Sequence, residues 1–355
     1  MNSDIPYGTA GAVQKEEISS GHAGPDPQEK ISSGDAGPAS SVATRSGAPG
    51  PGGNAPLFKR LVQYQKERFP IVQHGPLIAA FTFSASTFSR AARGESGIIP
   101  LTHLIAGILT SLCFFFLLRV TDEYKDHEDD CRFRPYRPVP RGLIRLKELS
   151  GIAAGLFVVV VLINLLFMPV MLVPMAVTLV YLFFMTNEFF RPEWLKAHPL
   201  TYMISHMMIM PLIDLYTTGL DWLIAGTPPP EGVSLFLVVS FFTGVVIEVG
   251  RKIRAPEAEE TGVETYSVLY GPRKATLLWM GALFLAYLFS IAAAWSGGFG
   301  KSGSLLLAIL LLVCLGRGMI FVASGRQSDA KGIETMSGIW TLGMYLILGV
   351  TPLIV

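Results

Sequence analysis

Nine apolar stretches, each close to the length an α-helix needs to cross about 30 Å of hydrocarbon, follow one another along most of this chain. They cover residues 71–89, 101–118, 150–168, 170–187, 199–217, 233–249, 275–295, 304–323 and 337–354. In lipid, every backbone amide must find its partner within the chain, and a helix does that alone. The pattern therefore predicts an all-α, multi-pass membrane protein with about nine transmembrane helices. Composition agrees: 50% of the residues are hydrophobic and 15% charged, against about 25% charged in a soluble domain. The first and fifth stretches are the weakest, because His74, His206 and Asp214 interrupt them.

Lys and Arg set the expected orientation, since cytoplasmic loops carry their excess. With the N-terminus inside, all of the 28 basic residues except Arg90, Arg93 and Lys301 fall on the cytoplasmic side. The net charge of +1 argues against a nucleic-acid partner for the whole protein. Cys113, Cys131 and Cys314 show no paired spacing, so neither a disulfide framework nor a zinc site is indicated. Residues 1–56 are rich in Gly, Ala, Ser and Pro and repeat Ile18-Ser-Ser-Gly-His-Ala-Gly-Pro25 as Ile31-Ser-Ser-Gly-Asp-Ala-Gly-Pro38. Such a segment cannot bury a core and is expected to be a disordered tail. It carries no secretory signal pattern.

Two connectors, after spans two and six, are long, charged and on the same side. The first runs Arg119-Val-Thr-Asp122-Glu123-Tyr-Lys125-Asp126-His127-Glu-Asp-Asp130-Cys-Arg-Phe-Arg134-Pro-Tyr-Arg137-Pro-Val-Pro-Arg-Gly142. On a continuous helix, Glu123, Asp126 and Asp130 share a face. Carboxylates that close repel unless a cation sits among them, and magnesium takes oxygen ligands of this kind. The run also reads as a solvated charged helix, with Lys125 and His127 compensating. Arg134 and Arg137, held by prolines, suit an anionic diphosphate.

The stretch resembles the first aspartate-rich motif of the UbiA-type prenyltransferase superfamily, Asn-Asp-x-x-Asp-x-x-x-Asp followed by Arg-Pro-x-Arg-Pro-x-Pro-x-Gly. Asp122 stands at the Asn, Glu123, Asp126 and Asp130 at the three aspartates, and Arg134 to Gly142 match without a gap. The departure is at the start, where Asp and Glu replace Asn and Asp.

In the second connector, Gly262-x-x-Thr265-x5-Gly271 resembles the family's segment just after its second aspartate motif. That motif itself does not match: Arg254 and Ala258 stand where the family has aspartates. An insertion would put Glu248 in the metal-binding role, with Glu257 or Glu259 as a second ligand. Glu248 also closes an apolar run, where an unpaired carboxylate is costly. Arg251, Lys252 and Arg254 are then diphosphate contacts, though each also reads as a topology or headgroup charge.

The resemblance covers residues 57–355 and implies helices around a central cavity, magnesium bound by Asp122, Glu123, Asp126, Asp130 and Glu248, and a prenyl diphosphate substrate. The catalytic set is Glu123, Asp126, Asp130 and Glu248. The implied reaction transfers a prenyl group to an aromatic or lipid acceptor, with membrane lipids around the protein. His74, Asn187, His206 and Asp214 are cavity candidates, with Glu188 and Tyr216 as further polar intruders, and interhelical hydrogen bonding is the alternative for each. Two other functions stay open: a terpene cyclase using the same ionisation, and a non-enzymatic membrane protein or divalent-cation transporter centred on Asp214.

Overall fold

The computed structural model describes residues 55–355. The tail read over residues 1–56 lies, apart from its last two residues, outside them. The described residues fold into α1 (Leu57–Arg68), α2 (Ile71–Ala92), α3 (Leu101–Lys125), α4 (His127–Phe133), α5 (Leu146–Phe167), α6 (Leu172–Thr186), α7 (Pro192–Lys196), α8 (Pro199–Met207), α9 (Ile209–Trp222), α10 (Glu231–Gly250), α11 (Tyr266–Tyr270), α12 (Pro272–Ser296), α13 (Gly300–Ser324) and α14 (Gln327–Val350). No strand occurs among the described residues.

Proline punctuates this order. Pro56, Pro70, Pro100 and Pro230 stand immediately before α1, α2, α3 and α10. Pro192, Pro199 and Pro272 open α7, α8 and α12, where the missing N–H would have had no intrahelical partner. Pro211 does the opposite. Lacking an N–H for the carbonyl of Met207, it divides the fifth apolar stretch into α8 and α9 at Met208.

Seven helices among the described residues are long and apolar enough to cross a membrane: α3, α5, α6 with the turn from Pro169, α10, α12, α13, and α14 extended to Leu353. The other two expected spans are the polar-interrupted ones, α2 and the broken α8–α9. α2 is a 22-residue helix that buries Thr82, Ser84, Ser86, Thr87 and Ser89. That polarity lowers its hydropathy without placing it outside the bundle.

Helices α2, α9, α10 and α14 pack on one another; α12 and α13 close the side between α10 and α14, and α3, α5 and α6 attach through α2 and α9. The outward faces of α5 and α13 expose Leu162, Leu166, Phe167, Ile309, Leu312 and Val313. A soluble monomer rarely exposes apolar patches beyond a few hundred Å²; lipid covers such faces. Inside, the rings of Phe81 and Tyr345 are 4.7 Å apart, as are those of Phe88 and Phe236. Between helices in lipid such rings stabilise through close packing rather than by leaving water. At the level of Asp214 the centre of the bundle is thus filled by side chains rather than open.

α1 was not among the expected elements. It buries Tyr64 and is fastened by three ion pairs, two to the first connector, Arg141–Glu67 at 2.7 Å and Arg68–Glu123 at 2.6 Å, and one to the first turn of α5, Arg60–Glu148 at 2.7 Å. Arg141, in turn, holds the Glu67 carboxyl below the ordinary glutamate range through its hydrogen bond.

Candidate active site

The first connector is not the continuous helix assumed from sequence. α3 ends at Lys125, Asp126 caps it with φ −90° and ψ 6°, and α4 starts at His127. The break removes the common face, and the three carboxylates separate. Glu123 is buried against Arg68, with Arg119 Nε 3.4 Å away. Asp130 is buried too; Arg137 Nη1 donates to it at 2.6 Å and Arg134 Nε pairs with it at 3.0 Å. Arg134 and Arg137, expected on a diphosphate, therefore fold the Arg-Pro segment back onto α4. Buried carboxylates need such partners, because desolvating a lone charge is prohibitive.

Asp122 and Asp126, at i and i+4, are left on the other side of the α3 terminus. Both are half-buried, and the basic group paired with Asp122, Arg119, stands 3.7 Å off. Between them along the helix, Lys125 donates to the Tyr202 hydroxyl at 2.7 Å.

In the second connector, Glu248 lies buried at the end of α10, where Arg251 Nε donates to it at 2.8 Å and Lys252 Nζ pairs with it at 2.9 Å. Lys252 also lies over the Tyr266 ring, 5.8 Å from its centroid. Arg254 turns to Glu260, 2.9 Å distant, and lines a cavity of about 270 Å³ with Arg251, Lys331 and Glu334. Glu259 accepts from Thr265 Oγ1 at 2.8 Å, whereas Glu257 lies on an exposed 3₁₀ turn, Pro256–Ala258.

The spacing Gly262-x-x-Thr265-x5-Gly271 now has physical reasons. Gly262 has φ +77°, and a Cβ there would stand 2.3 Å from the Phe133 ring of α4; only glycine lets the connectors meet this closely. Thr265 caps α11 by accepting from the Val268 N–H at 3.1 Å. Gly271, with φ +83°, turns the chain into α12. Tyr136 adds a long hydrogen bond of 3.5 Å to Glu260. The charges of Asp122 and Arg251 reach each other across the cleft, and those of Lys125, Glu248 and Lys252 all reach His206.

Of the cavity candidates, His206 alone adjoins this cleft. Asp214 is fully buried in a hydroxyl node, accepting from Tyr345 at 2.6 Å and Thr217 at 3.0 Å. Asn187 is exposed and donates to the Phe183 carbonyl at 2.8 Å. His74 stacks on Phe69 in the first turn of α2, with ring centroids 5.1 Å apart. Sequence reasoning missed Lys125 and Tyr202 as cleft residues. Lys125 was legible only as a compensating charge, and Tyr202 had no signal beyond its place near the start of a weak span. Glu188 was legible in the sequence as a further polar intruder. It is buried near Tyr202 in a turn where Glu188, Phe189 and Phe190 all have positive φ, 47° to 57°, at about 1–3 kcal/mol of strain each.

No three His, Cys, Asp or Glu side chains among the described residues are arranged as a ready metal cage. The connectors offer carboxylates in ones and twos instead: Asp122 with Asp126 at the end of α3, and Glu248 at the end of α10. A hard cation that keeps most of its waters and takes one or two carboxylates plus phosphate oxygens, as magnesium does, fits that donor set.

The two connectors and the bundle beneath them define a class of helical intramembrane protein with an acid-and-base cleft at one end. The sequence model of the UbiA prenyltransferase family matches residues 79–339, and the chain belongs to that family. It is an integral membrane protein. Its sequence is 25% identical over 187 residues to a digeranylgeranylglyceryl phosphate synthase from Methanobrevibacter smithii; the match spans 48% of this chain and 60% of that protein. The fold is similar to that of a digeranylgeranylglyceryl phosphate synthase studied in membranes, with a TM-score of 0.58 at 15% identity, covering 84% of this chain and all of the other. It is equally similar to a UbiA homologue from Aeropyrum pernix K1, with a TM-score of 0.58 at 13% identity, covering 79% and 98%.

Proposed function

We propose that this protein is an intramembrane prenyltransferase that ionises an allylic prenyl diphosphate in the cleft between its two connectors and passes the prenyl group to an acceptor, an aromatic or a lipid. One observation carries the reading: Gly262 packs on Phe133, which joins the two charged connectors, and the charges of Asp122 in the first and Arg251 in the second interact. Family membership and the partial match to a digeranylgeranylglyceryl phosphate synthase support it.

In this reading Asp122 and Asp126, with Glu248 across from them, hold magnesium. When bound, the metal offsets negative charge on the diphosphate oxygens and the leaving group. Lys125, Arg251 and Lys252 bind the remaining oxygens and stabilise the charge that grows as the carbon–oxygen bond lengthens. Arg134 and Arg137 act indirectly, by holding Asp130 and so the shape of the connector. Apolar walls of the bundle shelter the prenyl chain and exclude water. The charge bias supports a cytoplasmic side for both connectors and the N-terminus.

The test is diphosphate release from geranyl, farnesyl and geranylgeranyl diphosphates by the purified protein in detergent. Release is expected for at least one chain length, is abolished by a chelator, and falls about 100-fold or more in Asp126→Asn. No release from any substrate, or release that survives both treatments, refutes the reading. A cyclic product formed without acceptor would convert it to a terpene cyclase.

A further inference from the structure

Beside the cleft, one buried nitrogen has no partner. His206 is 7% exposed, and its Nε2 makes no hydrogen bond within the described residues. An unpaired buried polar atom costs about 1–3 kcal/mol, so an imidazole kept this way needs an explanation. Its other nitrogen is committed: Nδ1 lies 2.9 Å from the Tyr202 carbonyl oxygen and 3.3 Å from Ser205 Oγ. Ser205 Oγ donates its own proton to that same carbonyl at 3.0 Å. A carbonyl only accepts, so Nδ1 carries the ring proton and Nε2 presents a lone pair.

The ring is also fixed in place. Tyr202 stacks on it with centroids 4.0 Å apart and planes 10° from parallel, and Phe189 meets it edge-on at 6.4 Å. The tyrosine hydroxyl above is the one that Lys125 holds from α3, while the charges of Glu248 and Lys252 reach the ring from α10. The ring thus stands beside the Lys125–Tyr202 contact from α3, on a helix, α8, that packs against α10. Magnesium favours oxygen ligands, which leaves an O–H or N–H donor as the natural partner.

We propose that His206 Nε2 receives the hydroxyl of the prenyl acceptor, which makes the acceptor an alcohol or a phenol prenylated on oxygen. This rests on the prenyl-transfer reading above. In the step, the allylic carbon–oxygen bond breaks and its electron pair leaves on the diphosphate. The acceptor oxygen forms the new bond to that carbon, its proton passes to Nε2, and the imidazolium returns the proton to the released diphosphate.

The experiment supplies the intact protein with a prenyl diphosphate that it ionises and, in mixed micelles, either a monoalkylglycerol or a 4-hydroxybenzoate ester. The readout is prenyl ether formed per diphosphate released, a ratio independent of how much of a variant is folded. An ether is expected from at least one acceptor. The ratio falls at least tenfold in His206→Phe, with free prenyl alcohol taking its place, and less in His206→Gln, which keeps an accepting atom. Diphosphate release without ether from either acceptor, prenylation on ring carbon, or an unchanged ratio in His206→Phe overturns the inference and leaves the prenyl-transfer reading standing. Absence of release in the wild type fails that reading itself.

Discussion

Gly262→Ala attacks the joint between the connectors and nothing else. At φ +77° an alanine pays about 1–2 kcal/mol for the left-handed conformation. Its Cβ would stand 2.3 Å and 2.4 Å from two carbons of the Phe133 ring, so the ring or the loop must move, at about 1–3 kcal/mol. Both segments lie at the end of the bundle and can relax, which puts the sum near 2–3 kcal/mol. Where the joined state is only marginally favoured over the parted one, diphosphate release at limiting substrate drops by up to about thirtyfold. The second arm is a double-mutant cycle. Phe133→Ala empties the space but leaves the dihedral, so in that background Gly262→Ala costs only the backbone part. Amide exchange over residues 127–134 and 256–266 should quicken together in the single variant. A Gly262→Ala protein within twofold of the wild-type rate, with exchange unchanged in both segments, would refute the reasoning.

Asp130→Ala leaves Arg134 and Arg137 without their carboxylate and should cost about 3–5 kcal/mol of stability, whereas Asp126→Ala should cost under about 1 kcal/mol, since that side chain holds no ion pair. Thermal midpoints in detergent distinguish them, and equal losses would contradict the separation of the two roles. Tyr345→Phe removes the hydroxyl that donates to buried Asp214 at 2.6 Å; a loss of about 1–3 kcal/mol is expected, and an unchanged midpoint would show that the node contributes nothing.

Much of this was legible in the sequence, and the failures have identifiable causes. Span length and apolar content located the helices, and the two weak stretches turned out to be α2, whose buried hydroxyls depress its hydropathy, and α8–α9, cut by Pro211. The pairing of Gly262, Thr265 and Gly271 could be recognised as a pattern, but its reasons, a ring contact, a cap and a positive dihedral, are three-dimensional. The acid cluster was misjudged in detail because i, i+3, i+7 counting presumes one helix. No Gly or Pro marks the break at Asp126, and the residues that draw Glu123 and Asp130 aside, Arg68 and Arg137, lie on other elements. α1 was missed because it is short and its fastening is ionic. His206 was legible only as a polar intruder; its lone pair depends on a tautomer set by the Tyr202 carbonyl.

The proposed reaction depends on one cleft made by both connectors. The direct measurement is calorimetric binding of a non-ionising prenyl thiodiphosphate, with magnesium, to the wild type, Asp126→Asn, Glu248→Gln and the double variant. Sharing one ligand, the two single variants should each bind at least tenfold more weakly, and the double variant should lose less than their product, by about 1 kcal/mol or more of coupling. Strictly additive losses, or Glu248→Gln binding as tightly as the wild type, would contradict it.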